Sequence, residues 1–144
     1  MQNINFKTNF KTFRLNNNKK NVIRINTADF GILDRAEKAQ AKLAELQEKA
    51  EKIQNADGTN EPKYSVLGEI DKAIREQIDY VFGADVSTPA FGTTYCFSLC
   101  DGVPMFENFI NALLPVIEAD CMAEAEKAKS NIGKYTKQVP QLTK

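Results

Sequence analysis

The chain has no histidine, no tryptophan and only three cysteines in 144 residues. Without histidine it lacks the side chain that most often moves protons near neutral pH and activates serine or cysteine nucleophiles. Zinc is disfavoured for the same reason. Cys96, Cys100 and Cys121 offer three sulfurs, the first two are four residues apart instead of forming a C-x-x-C pair, and no imidazole completes a tetrahedron. An odd cysteine count also argues against a disulfide framework, so the thiols read as small buried hydrophobes. Gly83, Gly92 and Gly102 fall into neither a G-x-G-x-x-G nor a P-loop order, and no phosphate cradle is indicated. We therefore assign no catalytic, cofactor-binding or metal-binding residue.

Long apolar runs are missing as well, so no segment is expected to cross a membrane. The opening Met1-Gln2-Asn3-Ile4-Asn5 has no apolar export core, which makes the cytoplasm the expected location. Acids are absent from residues 1–25, which hold Lys7, Lys11, Arg14, Lys19, Lys20 and Arg24. The remainder carries 19 acids against 13 bases, a net of −6 on a chain whose total is zero. A basic arm fits either nucleic acid or an edge hairpin kept soluble by its charges. Six charges on a neutral chain make a weak footprint for a polyanion, so nucleic acid is not expected as a partner.

What is present is the composition of one globular domain, 42% hydrophobic and 26% charged. Ile4, Phe6, Thr8, Phe10 and Thr12 alternate with polar neighbours, as a half-buried strand does; Phe13-Arg14-Leu15 continues with a change of phase that suggests a bulge. A polar turn over 16–21 leads to a second alternating run, Val22 to Asn26, which predicts an antiparallel hairpin. Thr27 is the expected cap of a helix over 27–55. Along that helix Ile32, Ala36, Ala39, Leu43, Leu46, Ala50 and Ile53 recur at alternating spacings of four and three, a coiled-coil type of seam. A turn cluster over 55–62 and a cap at Ser65 open a second helix, 65–81, with Val66, Ile70, Ala73, Ile74, Ile78 and Val81 as its apolar stripe.

Residues 83–103 read as an ordered connection anchored by aromatics. A core helix follows over 104–131, kinked at Pro115, with Gly133 as its cap and a flexible tail over 134–144. The expected fold is thus α+β and mostly helical. It is a single domain over 1–133, in which a β-hairpin (1–26) packs on three main helices, the first two forming a long helical hairpin.

One block stands apart: Tyr80-Val81-Phe82-Gly83-Ala84-Asp85-Val86-Ser87-Thr88-Pro89-Ala90-Phe91-Gly92, in which F-G is followed by a short polar stretch and F-G again. An acidic helix precedes it, and a helix with paired aromatics, Phe106-Glu107-Asn108-Phe109, follows. This pattern resembles small proteins encoded among the tail genes of siphophages and prophages of Gram-positive bacteria, some of them tail assembly chaperones. The order of elements over roughly residues 22–130 is similar too. The resemblance implies a non-enzymatic protein in the cytoplasm of the bacterial host. It would bind the tape measure protein, help recruit tail tube protein, and be absent from the finished virion.

The family carries no binding residue across. The positions expected to meet a partner's apolar helix are Ala36, Ala39, Leu43 and Leu46 on the heptad seam. The plainer reading packs that seam against 65–81, leaving only an uncovered remainder, and the seam also permits a homo-oligomer. Competing functions are a minor tail or adaptor protein retained in the virion, and a phage-encoded inhibitor of a host defence enzyme.

Overall fold

The computed structural model describes residues 1–54 and 64–142, with side chains to residue 131. Its elements run β1 (Phe10–Leu15), β2 (Asn18–Asn26), α1 (Phe30–Gln54), α2 (Tyr64–Phe82), α3 (Ser87–Phe91), β3 (Leu99–Cys100), β4 (Val103–Pro104) and α4 (Met105–Leu142). The fold is α+β and mostly helical, with an antiparallel hairpin leading into the helices.

The hairpin is tighter and shorter than its sequence suggests. Its loop is only Asn16-Asn17, at φ 50° and 61°, the doubly left-handed turn whose twist matches that of the flanking strands. Pairing begins at Phe10, opposite Asn26, so the alternation from Ile4 to Thr8 lies outside any strand. The reason is topological: beyond Asn26 the partner strand has ended and the chain is turning into α1. Phe13 and Leu15, with Ile23 and Ile25, face the core, while Phe10 and Thr12 face out. The irregularity in register falls at Arg14/Leu15, where β2 holds the extra residues, instead of at the expected change of phase near Phe13.

Thr27 does not cap α1. It is buried, and its backbone N–H and hydroxyl both donate to the Asn9 carbonyl, at 3.2 and 3.4 Å. Asp29 takes the capping role two residues later, its carboxylate accepting the Gly31 N–H at 2.8 Å. From Phe30 on, Ile32, Ala39, Leu43, Leu46 and Ala50 are buried, and α1 packs chiefly on α2 and also on α4. The expected turn cluster over 55–62 lies outside the described residues. On α2 the buried stripe is Leu67, Ile70, Ile74, Ile78 and Val81; Val66 is half exposed. Burying a side chain of this size contributes about 1.5–3 kcal/mol, so this seam stabilises the fold far more than the surface ion pairs along α1.

The connection 83–103 is more regular than expected. It holds the short helix α3 and a two-residue hairpin, β3 with β4, turned by Asp101 and Gly102 at φ 53° and 77°. The last helix also differs. Pro104 closes β4 instead of opening the helix, and α4 runs unbroken through Pro115 and Gly133 to Leu142, so 134–142 is helical where a flexible tail was expected. A helical glycine costs about 1 kcal/mol, which does not end a helix carried by the strong helix formers from Ala123 to Lys129 just upstream.

Candidate functional site

The ionisable groups in the interior converge on the segment after α2. Asp71, Arg75 and Asp79 stand at i, i+4 and i+8, one column on one helix face. Asp79 accepts the N–H groups of Val86 and Ser87 at 3.0 and 2.9 Å and the Ser87 hydroxyl at 2.9 Å, fastening the start of α3. Arg75 donates through Nη2 to the carbonyls of Gly92 and Thr94, at 2.8 and 2.7 Å. Asp71 accepts the Cys96 N–H at 2.7 Å. Arg75 Nε also lies 3.0 Å from an Asp71 oxygen, but off the line of its N–H, so that contact is coulombic and not a hydrogen bond. Every member of the column is engaged with the chain's own backbone or with another member.

That column explains the F-G block. Phe82 and Phe91 are both buried, and both meet the ring of Phe109 on α4 edge-on, at 5.8 and 5.7 Å between centroids. The glycine after each turns the chain. Gly83 leaves α2 at φ 70°, and Gly92 leaves α3 at φ 55° and ψ −128°, a conformation that side chains with a Cβ avoid. Each F-G is therefore a core plug followed by a reversal; Asp79 holds down the polar stretch between them, and Arg75 holds the chain as it leaves the second. The motif was legible as a pattern; its task was not. The signal available for it was the acid–base–acid spacing of four on α2, just upstream.

The cysteines divide by environment. Cys96 is buried, and its thiol is pushed well above the ordinary range, first by desolvation and then by Asp71. Cys121 is buried 3.8 Å from the Thr27 carbonyl and is raised chiefly by desolvation, with Asp29 and Asp120 adding to it. Both are protonated packing groups. Cys100 is exposed on the small hairpin. Among the described residues no three histidine, cysteine or acidic side chains gather as a metal set. No described helix is long and apolar enough to cross a membrane.

The four seam residues expected to meet a partner sit against the chain's own helices. Ala39, Leu43 and Leu46 are buried and Ala36 is partly buried, so a partner cannot lie along them without displacing α2 or α4. Two of them still form groove walls. Leu43 lines a groove of about 420 Å³ between α1 and α4, with Phe106 and Ile110. Leu46 lines one of about 430 Å³ between α1 and α2, with Ile53, Val66, Ile70 and Ala73, rimmed by Lys49, Lys52 and Glu69. No known protein family, curated protein or solved structure matches this chain. What these surfaces offer is apolar contact with a charged rim, the chemistry of protein docking.

Proposed function

We propose that this chain is a non-enzymatic tail assembly chaperone of a phage or prophage, which shields the tape measure protein in the bacterial cytoplasm and helps bring tail tube protein to it. The observation that carries the docking part is the groove beside the end of the heptad seam. There, among the described residues, Ile53 of α1 and Val66 and Ala73 of α2 stay partly open between Lys49, Lys52 and Glu69. An apolar strip with mixed charge at its edge accepts one face of an amphipathic helix. The paired F-G block supports the family reading, because its glycines and phenylalanines form one architectural unit that other chains of the same layout would also need.

The test is co-expression with the tape measure and tail tube proteins encoded beside this chain, followed by soluble recovery and co-purification. The tape measure protein is expected to become soluble and to co-purify. Val66→Glu, at a position already 43% exposed, should abolish capture while leaving the helical signal intact. Purified virions should lack the chain. Failure of both partners to bind a folded chain overturns the reading, and its presence in virions points to the structural tail component instead.

A further inference from the structure

Two features of this chain lack a counterpart among the described residues. The first is a slot. β1 pairs only with β2 among the described residues, so the backbone groups of its other edge are open. Against that edge runs a groove of about 490 Å³, walled on one side by four consecutive residues, Phe13 to Asn16, and on the other by Met105, Phe109 and Leu113 of α4. No residue of β2 lines it. An open strand edge beside an apolar trough is the geometry that receives an added strand: main-chain hydrogen bonds along the edge, and alternate side chains dropped into the trough.

The second feature is an arm. Residues 1–9 precede β1 outside any strand, and Ile4 and Phe6 are 86% and 79% exposed. Their alternation with Asn5 and Lys7 is that of a strand with one apolar face, and no described residue covers that face. The arm is badly placed for its own slot. Its last residue, Asn9, is held by Thr27 at the start of β1, whereas the groove lies at the other end, around Phe13 to Asn16. Filling it within one chain would require a reversal at the point where the Asn9 carbonyl is already committed.

We propose that residues 1–9 of one copy add as a strand to the free edge of β1 in a second copy, seating Ile4 and Phe6 in the groove between β1 and α4. The dimensions agree: nine extended residues span about 30 Å, more than enough to cover the roughly 20 Å of a six-residue strand. Lys7 falls on the face opposite Ile4 and Phe6 and stays in water. Exchange of this kind also covers an edge that would otherwise invite indiscriminate pairing. The inference is independent of the phage reading and uses a different groove.

The test is the mass of the full chain in solution, by light scattering or sedimentation over a range of concentrations. Wild type should be at least a pair. Ile4→Asp with Phe6→Asp should reduce it to a single chain that keeps the wild-type helical signal, since neither side chain packs on its own body; its melting temperature should fall only by what pairing contributed. Ala112→Trp, which fills the groove from an exposed position, should do the same. An equal mixture of these two variants should regain pairs, because one intact arm and one intact slot remain. In a third variant, Phe6→Cys, a bis-maleimide should link the arm to Cys100 of the second copy, and Cys100→Ser should remove the link; Cys100 lines the groove, whereas Cys96 and Cys121 are buried. A wild-type chain of single mass at every concentration overturns the proposal. So does an oligomer indifferent to the arm variant, which would mean that something else occupies the groove.

Discussion

Replacing Arg75 with methionine keeps most of the side chain's bulk and removes its charge and its donors. In the wild type the side chains of Arg75 and Asp71 are 17% and 12% exposed, so the pair is largely desolvated. Removing one partner of a buried pair costs about 3–5 kcal/mol, because the remaining charge is left uncompensated. The residual exposure, and the Cys96 N–H that still donates to Asp71, put the expected cost at the lower end, about 3 kcal/mol. The carbonyls of Gly92 and Thr94 add little, since both residues are exposed and water replaces the lost donor. For a chain of this length the loss corresponds to a fall in Tm of about 10 °C. Urea unfolding followed by circular dichroism reads the global cost. A local readout separates this mechanism from a general weakening: released from Arg75, the segment over 92–98 should open and expose the Cys96 thiol to a labelling reagent. Asp71→Asn combined with Arg75→Met should recover about 1–3 kcal/mol relative to the sum of the single variants. A cost below about 1 kcal/mol, with Cys96 still protected, would refute the reasoning, since Arg75 would then not be what holds the chain leaving the F-G block.

Four further outcomes follow from the same contacts. Gly92→Ala should lose about 1–3 kcal/mol, from its left-handed φ alone, measured as a shift in denaturant midpoint. Phe109→Leu keeps the apolar volume but gives up two edge-on ring contacts, for a cost of about 1–2 kcal/mol in the same assay. Leu43→Asp with Leu46→Asp should abolish the helical signal altogether, because both positions are core; this distinguishes them from Val66→Glu, which should stay folded. The Asp120 carboxyl is held below its ordinary value chiefly by the Lys11 ammonium at 2.6 Å. Its contribution is therefore complete above the carboxyl's unfolded-state value and is lost as pH falls through the depressed folded-state value. Wild type and Asp120→Asn should differ by about 0.2–1 kcal/mol near neutral pH and converge in strong acid, as seen in denaturant midpoints at a series of pH values.

Much of the architecture is written in local periodicities. The four–three seam from Ile32 to Ile53 required a helix and, with the stripe on residues 65–81, a helical hairpin, because no other conformation brings those residues to one side. The alternation of Val22 to Asn26 required a strand on the same grounds. The same alternation misled from Ile4 to Thr8, since a strand also needs a neighbour to bond with and that neighbour had already turned away at Asn26. Thr27 was the expected cap by residue type; Asp29 caps instead because Thr27 is committed to the Asn9 carbonyl, a partner 18 residues back. Gly133 had the residue type of a helix end but not the context of one.

The candidate surfaces divide in the same way. Residue order alone determined which side chains are apolar, how they are spaced along each helix or strand, and that the chain's bases lead and its acids follow. It could not determine which apolar face would be left over. Leu43 and Leu46 are as apolar as Ile4 and Phe6, yet the first two are core and the second two stand in solvent. Burial is settled by what lies opposite, and what lies opposite comes from elsewhere in the chain. Periodicity is a property of neighbours along the sequence, whereas a groove is the space that distant segments, here β1 with α4 and α1 with α2, leave between them when they pack.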